Sequence, residues 1–247
     1  MRLQIINSLY VFVFMLAVPV SAQTIDYPSV FGKEWKTAEK YVISQQEAWD
    51  TIFPTFAVSP RLAAAVVFPE LIRYSGLQNF METTVVKIRY QQKGSQGANF
   101  SIGRFQMKPS FAEELESQWM QTPMCHEYKI YFDLSDNVEA RRARVRRLDD
   151  PRGQCVYLAL FLKLLYQRFP QLTDETEDRQ VLLCATAYNA SFCDSYHTLE
   201  KRSRQSLFHT DFMANSKTVY YVYGEIAAGF YKSRQQGDQR PATKEKL

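Results

Sequence analysis

The stretch "VVFPELIRYSG", residues 66 to 76, places one acidic residue, Glu70, inside an apolar run. Apolar surroundings penalise the ionised carboxylate and raise its pKa, so a carboxyl kept there is suited to giving up a proton near neutral pH. Two later stretches carry groups that can work beside such an acid. "SIGRFQMKPSFAE" (101–113) offers Ser101, Gly103, Phe105 and Gln106, and "ATAYNAS" (185–191) offers Tyr188 and Asn189. A glycine permits close backbone approach, a glutamine amide both donates and accepts hydrogen bonds, and a tyrosine hydroxyl can position a carboxyl. Asn189 suits a helix terminus. Each stretch is weak evidence taken alone; their order along the chain adds to it.

In that order the three stretches resemble the lytic transglycosylase and goose-type lysozyme superfamily. The resemblance rests on Glu70 late in an early helix, on Gly103, Gln106 and Pro109 in a Gly-x-x-Gln-x-x-Pro stretch, and on Ala187-Tyr188-Asn189 at the end of a buried helix. It covers residues 59–192, just over half the chain. The sequence departs from the family pattern with Leu71 in place of serine after the glutamate, Arg104-Phe105 in place of Leu-Met, and Ser191 in place of glycine. The segment between Glu70 and Gly103 is also longer than the pattern leads one to expect.

The resemblance implies a lysozyme-like fold and cleavage of the β-1,4 bond between N-acetylmuramic acid and N-acetylglucosamine in peptidoglycan. Most glycosidases need a second carboxylate. The resembled family instead lets the substrate's N-acetyl group attack the anomeric carbon, and the same glutamate then takes a proton from the sugar's 6-hydroxyl. Glu70 is the implied acid and base. Gln106 and Tyr188 are implied substrate contacts, with Ser101, Gly103, Phe105 as an apolar cleft wall, and Asn189 as further candidates. No cofactor or metal is implied. The expected partners are peptidoglycan strands and envelope or secretion machinery. Two variants stay open: a catalytically inactive wall-binding or scaffolding protein of the same fold, and a hydrolytic lysozyme, for which Glu82 is a candidate second acid. A cysteine or zinc hydrolase built from Cys125 with His126, or from Cys184, Cys193, His197 and His209, lacks the ligand spacing such sites use.

The elements that must hold these residues read as mainly helical. Apolar spacing predicts helices over 35–53 and 59–76, the second opened by Ser59 and Pro60 and kinked or broken at Pro69. Residues 83–90 are ambiguous, their β-branched side chains favouring a strand and their place between helices a helix, and glycine-bearing 91–103 reads as a loop, so a small β-ribbon around 83–103 is one expectation. A helix restarts after Lys108, with Ser110 and Glu113 at capping-box spacing. Residues 135–153 carry Arg141, Arg142, Arg144, Arg146, Arg147 and Arg152 and read as a solvated helix face or an anion contact. Residues 155–169 are apolar all round and belong in a core. A second buried helix ends in Tyr188-Asn189, and 215–233 reads as a C-terminal helical extension capped by Asn215.

The whole chain has 247 residues, a net charge of +4 and 46% hydrophobic residues, which suits one domain and implies no nucleic-acid partner. "LYVFVFMLAV" followed by "PVSA" reads as a secretory signal peptide over 1–22. No integral membrane segment is expected after its removal, so the mature chain should reside in the periplasm or at the cell surface. Residues 23–235 then form the single domain and 236–247 a polar, disordered tail. Four cysteines, Cys125, Cys155, Cys184 and Cys193, are compatible with two disulfides, with neighbours in sequence paired.

Overall fold

The structure, a computed structural model, describes residues 25–77, 84–191, 193–211 and 213–238. The signal peptide, Glu82 and the last nine residues lie outside these. Ten α-helices follow in order: α1 Tyr27–Ile52, α2 Pro60–Leu77, α3 Thr84–Gly97, α4 Pro109–Met120, α5 Met124–Glu127, α6 Val138–Asp149, α7 Pro151–Arg168, α8 Glu177–Asn189, α9 Tyr196–Arg202 and α10 Tyr223–Asp238. No strand occurs among the described residues; two isolated antiparallel bridges, Ile102 with Met107 and Phe208 with Tyr221, are the nearest approach to one. The mainly α expectation stands.

One group of helices is built on α10, which packs against α8 and α2, with α1 packed on α2 and touching α10 through Trp35–Phe230 and the Tyr27–Glu225 hydrogen bond. Phe68 of α2 stacks on Phe230 of α10 with ring centroids 3.7 Å apart, and Trp35 of α1 meets Phe68 edge-on at 4.7 Å. The other group is α3, α4 and α6 around α7. The α7 sequence is apolar all round because it runs through the middle: Leu158, Ala159, Leu160, Phe161 and Leu162 have no exposed surface.

Several local expectations need correction. α2 runs unbroken through Pro69, although the proline leaves the Ala65 carbonyl without its helical donor; the next carbonyl, Val66, takes a hydrogen bond from the Tyr223 hydroxyl at 3.0 Å. The β-ribbon is absent, and residues 84–97 are helical with a left-handed break at Gly94, so β-branched propensity yields to packing against α6. Ser110 caps nothing; its own N–H donates to the Asn99 side chain at 3.2 Å. The C-terminal helix starts at Tyr223, and Asn215 instead closes a turn by accepting from the Lys217 N–H. The helix also reaches Asp238, three residues into the expected tail.

The arginines of α6 are not simply a solvated face. Arg144 is buried and donates to Glu116 at 2.6 and 2.8 Å, and Arg147 donates to the other Glu116 oxygen at 2.8 Å. Tyr157 also donates to Glu116, and Tyr90 bridges Arg144 and Glu113. Glu116 has no exposed surface, so this network ties α3, α4, α6 and α7 through one carboxylate. Removing one member strands buried charge. Glu116→Ala is therefore expected to lose about 3–5 kcal/mol of unfolding free energy in urea titration; a loss under about 1 kcal/mol would show that the network contributes little.

All four cysteines are free thiols, three of them buried. Burial pushes Cys155 and Cys184 up to about 12, and Cys193 is raised as well, by burial and by the Glu114 carboxylate beside it. The expected disulfides fail because three of the thiols are packed into the core as small apolar groups. Thiol titration should find one fast-reacting cysteine in the native chain, Cys193, and four in urea.

Candidate active site

Glu70 lies in the third turn of α2, where α8 and α10 pack against that helix. It is 5% exposed. Phe68, Leu71 and Ile72 beside it are buried in the core, so the serine position of the resembled pattern is filled by a packing side chain. Burial raises the Glu70 pKa above the ordinary carboxylate value. Against burial work the nearby positive charges of Arg73 and Lys108, and a hydrogen bond from Arg73. The Arg73 guanidinium sits 3.3 and 3.2 Å from the two Glu70 oxygens through one nitrogen.

The turn over 102–107 is shaped by two unusual backbones. Ile102 and Met107 pair through hydrogen bonds of 2.8 and 3.2 Å. Gly103 has φ 68° and Gln106 has φ 52°, both left-handed. At Gly103 a side chain is sterically excluded: a Cβ there would stand 1.5 Å from the Gln154 amide nitrogen and 2.8 Å from the Leu148 carbonyl. Gly103 thus serves the approach of Gln154, not only that of a ligand. Gln154, at the start of α7, accepts from the Phe105 N–H at 3.0 Å and donates to Leu148 O at 2.6 Å, which hangs the turn from the core helix. Gln106 is not glycine yet adopts a left-handed conformation, a costly arrangement that is found preferentially at working sites. Its amide donates back to the Gly103 carbonyl at 2.8 Å.

Tyr188, at the end of α8, donates its hydroxyl to the Phe105 carbonyl at 2.7 Å, not to Glu70. It is nonetheless close enough that the Glu70 charge, added to burial, pushes its own pKa well up. Tyr223 of α10 is raised by burial and by the same charge. The three stretches picked out by residue type therefore converge: Tyr188 is bonded to the 102–107 turn and feels the Glu70 charge, and Lys108, just after that turn, draws Glu70 toward the anion. Phe105 is corrected from cleft wall to core, because it is 1% exposed and meets Trp49 edge-on at 5.8 Å. Ser101 is half-buried just ahead of the turn, and Asn189 is the last residue of α8.

Residue patterns missed four participants. Arg73 and Tyr223 touch the Glu70 environment, Gln154 supports the turn, and Arg104 lies over the rings of Tyr41 at 4.3 Å and Tyr74 at 5.1 Å. Only Arg73 had a local signal, its spacing of three from Glu70 on a helix. Two open clefts lie elsewhere. One, of about 620 Å³, is lined by Glu114, Gln118, Leu164 and Arg168 among others; the second, of about 350 Å³, by Lys93, Glu113, Ser117, Asp136 and Arg144 among others. Among the described residues no group of three or more His, Cys, Asp or Glu side chains is placed to hold a metal ion, and no single helix is long and apolar enough to cross a membrane. No protein-family model, curated protein or solved structure matches the chain.

The raised Glu70 pKa has a consequence for stability. A carboxyl that binds its proton more tightly in the folded chain stabilises the fold below its unfolded pKa, near 4.5, and that contribution is lost as pH rises through the folded value. Glu70→Gln mimics the protonated form. Thermal melts should therefore show wild type and Glu70→Gln alike below pH 4 and the variant more stable at neutral pH; a less stable variant at neutral pH would mean that the Arg73 pair outweighs burial.

Proposed function

We propose that this chain is a peptidoglycan-cleaving glycosidase of the lytic transglycosylase type, with Glu70 as its acid and base. The observation that carries the reading is the convergence of three separated stretches on one desolvated carboxyl: Glu70, the 102–107 turn, and Tyr188 bonded to that turn. A proton donor in apolar surroundings is what glycosidic cleavage requires.

In this mechanism protonated Glu70 gives its proton to the glycosidic oxygen as the bond to the anomeric carbon breaks. The substrate's own N-acetyl oxygen attacks that carbon from the opposite face. The Glu70 carboxylate then takes the proton of the muramic 6-hydroxyl as this oxygen closes on the same carbon and displaces the N-acetyl oxygen, whose bond to that carbon breaks. The product is a 1,6-anhydro end, and Glu70 is again protonated. Gln106 offers its amide to the acetamido group or sugar hydroxyls, and Tyr188 holds the turn that carries Gln106. Such a substrate places the protein in the periplasm or at the cell surface of a bacterium, in wall turnover or beside envelope machinery.

A wall-binding protein without catalysis is the second reading, and the Arg73–Glu70 ion pair favours it, since a purely structural pair would have this form. Digestion of purified peptidoglycan separates the two. Wild type is expected to release muropeptides lighter by one water at the muramic end, and Glu70→Gln to lose at least about 100-fold in rate, the usual worth of a general acid, while still sedimenting with the wall. Reducing-end products would indicate a hydrolytic lysozyme instead; binding without any release would support the scaffold reading.

A further inference from the structure

Residues 203–222 run between α9 and α10 and close on themselves through the Phe208–Tyr221 bridge, with hydrogen bonds of 2.7 and 3.1 Å. Tyr221 is held against the α1 rings, 5.0 Å from Phe31, and Phe208 against Tyr223 at 5.0 Å. Among its described residues, Leu207 just ahead of the bridge and Met213, Val219 and Tyr220 within it are exposed. The segment meets the Glu70 site through Arg73. Two Arg73 nitrogens donate to the His209 carbonyl at 2.9 and 2.8 Å, and its guanidinium lies 4.3 Å over the Phe208 ring. The third nitrogen is the one on Glu70.

We infer that Arg73 is a positioning residue for Glu70, set by the 203–222 segment acting as a strap, and that seating a glycan strand moves strap and guanidinium off the carboxyl together. This rests on the proposed glycan-cleaving role of Glu70.

Three observations carry it. The guanidinium has a carboxylate, a carbonyl and an aromatic face on separate sides, so it cannot leave Glu70 without disturbing the strap, nor can the strap lift without pulling it. Glu70 has too little exposed surface to meet a sugar while both remain in place. Nδ1 of His209, in the strap, is buried and has no hydrogen-bond partner among the described residues, a costly arrangement that a sugar hydroxyl would relieve. Besides Arg73, the charge bearing on Glu70 is Lys108 after the turn, while Tyr188 of α8 and Tyr223 of α10 face it as hydroxyls that feel its charge; the near charge of α1, Glu34, lies beside Gly76 further along α2. Of these only Arg73 is tied to a segment outside the helical body.

The proton balance follows. With Arg73 in place the positive charge favours the carboxylate. With it withdrawn, the desolvated carboxylate takes up a proton from solvent hydronium, passes it to the glycosidic oxygen as that bond breaks, and recovers one from the 6-hydroxyl as that oxygen displaces the N-acetyl oxygen from the anomeric carbon.

The test is a ¹³C NMR titration of glutamate carboxyls in the full chain, with the Glu70 signal assigned by its absence in Glu70→Gln. Arg73→Gln should raise the Glu70 pKa by at least about one unit, the usual effect of removing an adjacent opposite charge, and Arg73→Lys should restore it in part. Arg73→Met, which keeps a stem on Phe208, serves if Arg73→Gln does not fold. Hydrogen exchange at the Phe208 and Tyr221 amides should quicken when a soluble peptidoglycan oligomer is added to Glu70→Gln. An unchanged Glu70 titration overturns the positioning role, and unchanged exchange with oligomer demonstrably bound overturns the strap. A shifted titration and quickened exchange in a chain that never cleaves peptidoglycan would uphold the strap while refuting the glycosidase reading.

Discussion

A carboxylate taken out of water must give up its charge or find a compensating one. Glu70 is held between the two outcomes: burial drives it toward the neutral acid, and one edge of the Arg73 guanidinium draws it toward the anion. The packing around Glu70 and the placement of Arg73 bear on the two sides of that balance. α8 and α10 must pack closely on α2 to exclude water, which they do through apolar faces and the Phe68–Phe230 stack. Arg73 must stay partly accessible, and it does, with 22% of its side chain exposed against 6% for Glu70.

The second buried carboxylate shows the contrast. Glu116 is fully enclosed but saturated by two arginines and a tyrosine, and both of its oxygens are occupied. Such an arrangement locks elements together and leaves no capacity for chemistry. It fixes α4 and α7, and these helices in turn bracket the 102–107 turn through Pro109 and Gln154. The rigid network thus supports the adjustable one at a distance.

Sequence drew attention to Glu70 and the two later stretches because each carried a local anomaly. Glu70 is an acid in an apolar run, and the Gly103–Gln106 and Tyr188 stretches follow it in an order that had a precedent. What sequence could not supply was contact between distant residues. Arg73 was visible as a helical neighbour of Glu70, but its bonds to His209 cross 136 positions. Gln154 looks like an ordinary polar residue at a helix start. The arginines of α6 announced charge without naming Glu116 as their partner. Where local propensity misled, at the β-branched residues of α3 and at the Asn215 turn, tertiary packing or a short side-chain hydrogen bond prevailed. An even cysteine count, likewise, says nothing of whether thiols face one another.

A structure of the Glu70→Gln chain with a bound peptidoglycan oligomer tests the account most directly. The account predicts a glycosidic oxygen within hydrogen-bonding reach of the residue-70 side chain, the acetamido group beside Gln106, and residues 207–221 shifted outward. Sugar density confined to the cleft lined by Glu113, Ser117 and Arg144, with Arg73 still bonded to His209, would contradict it.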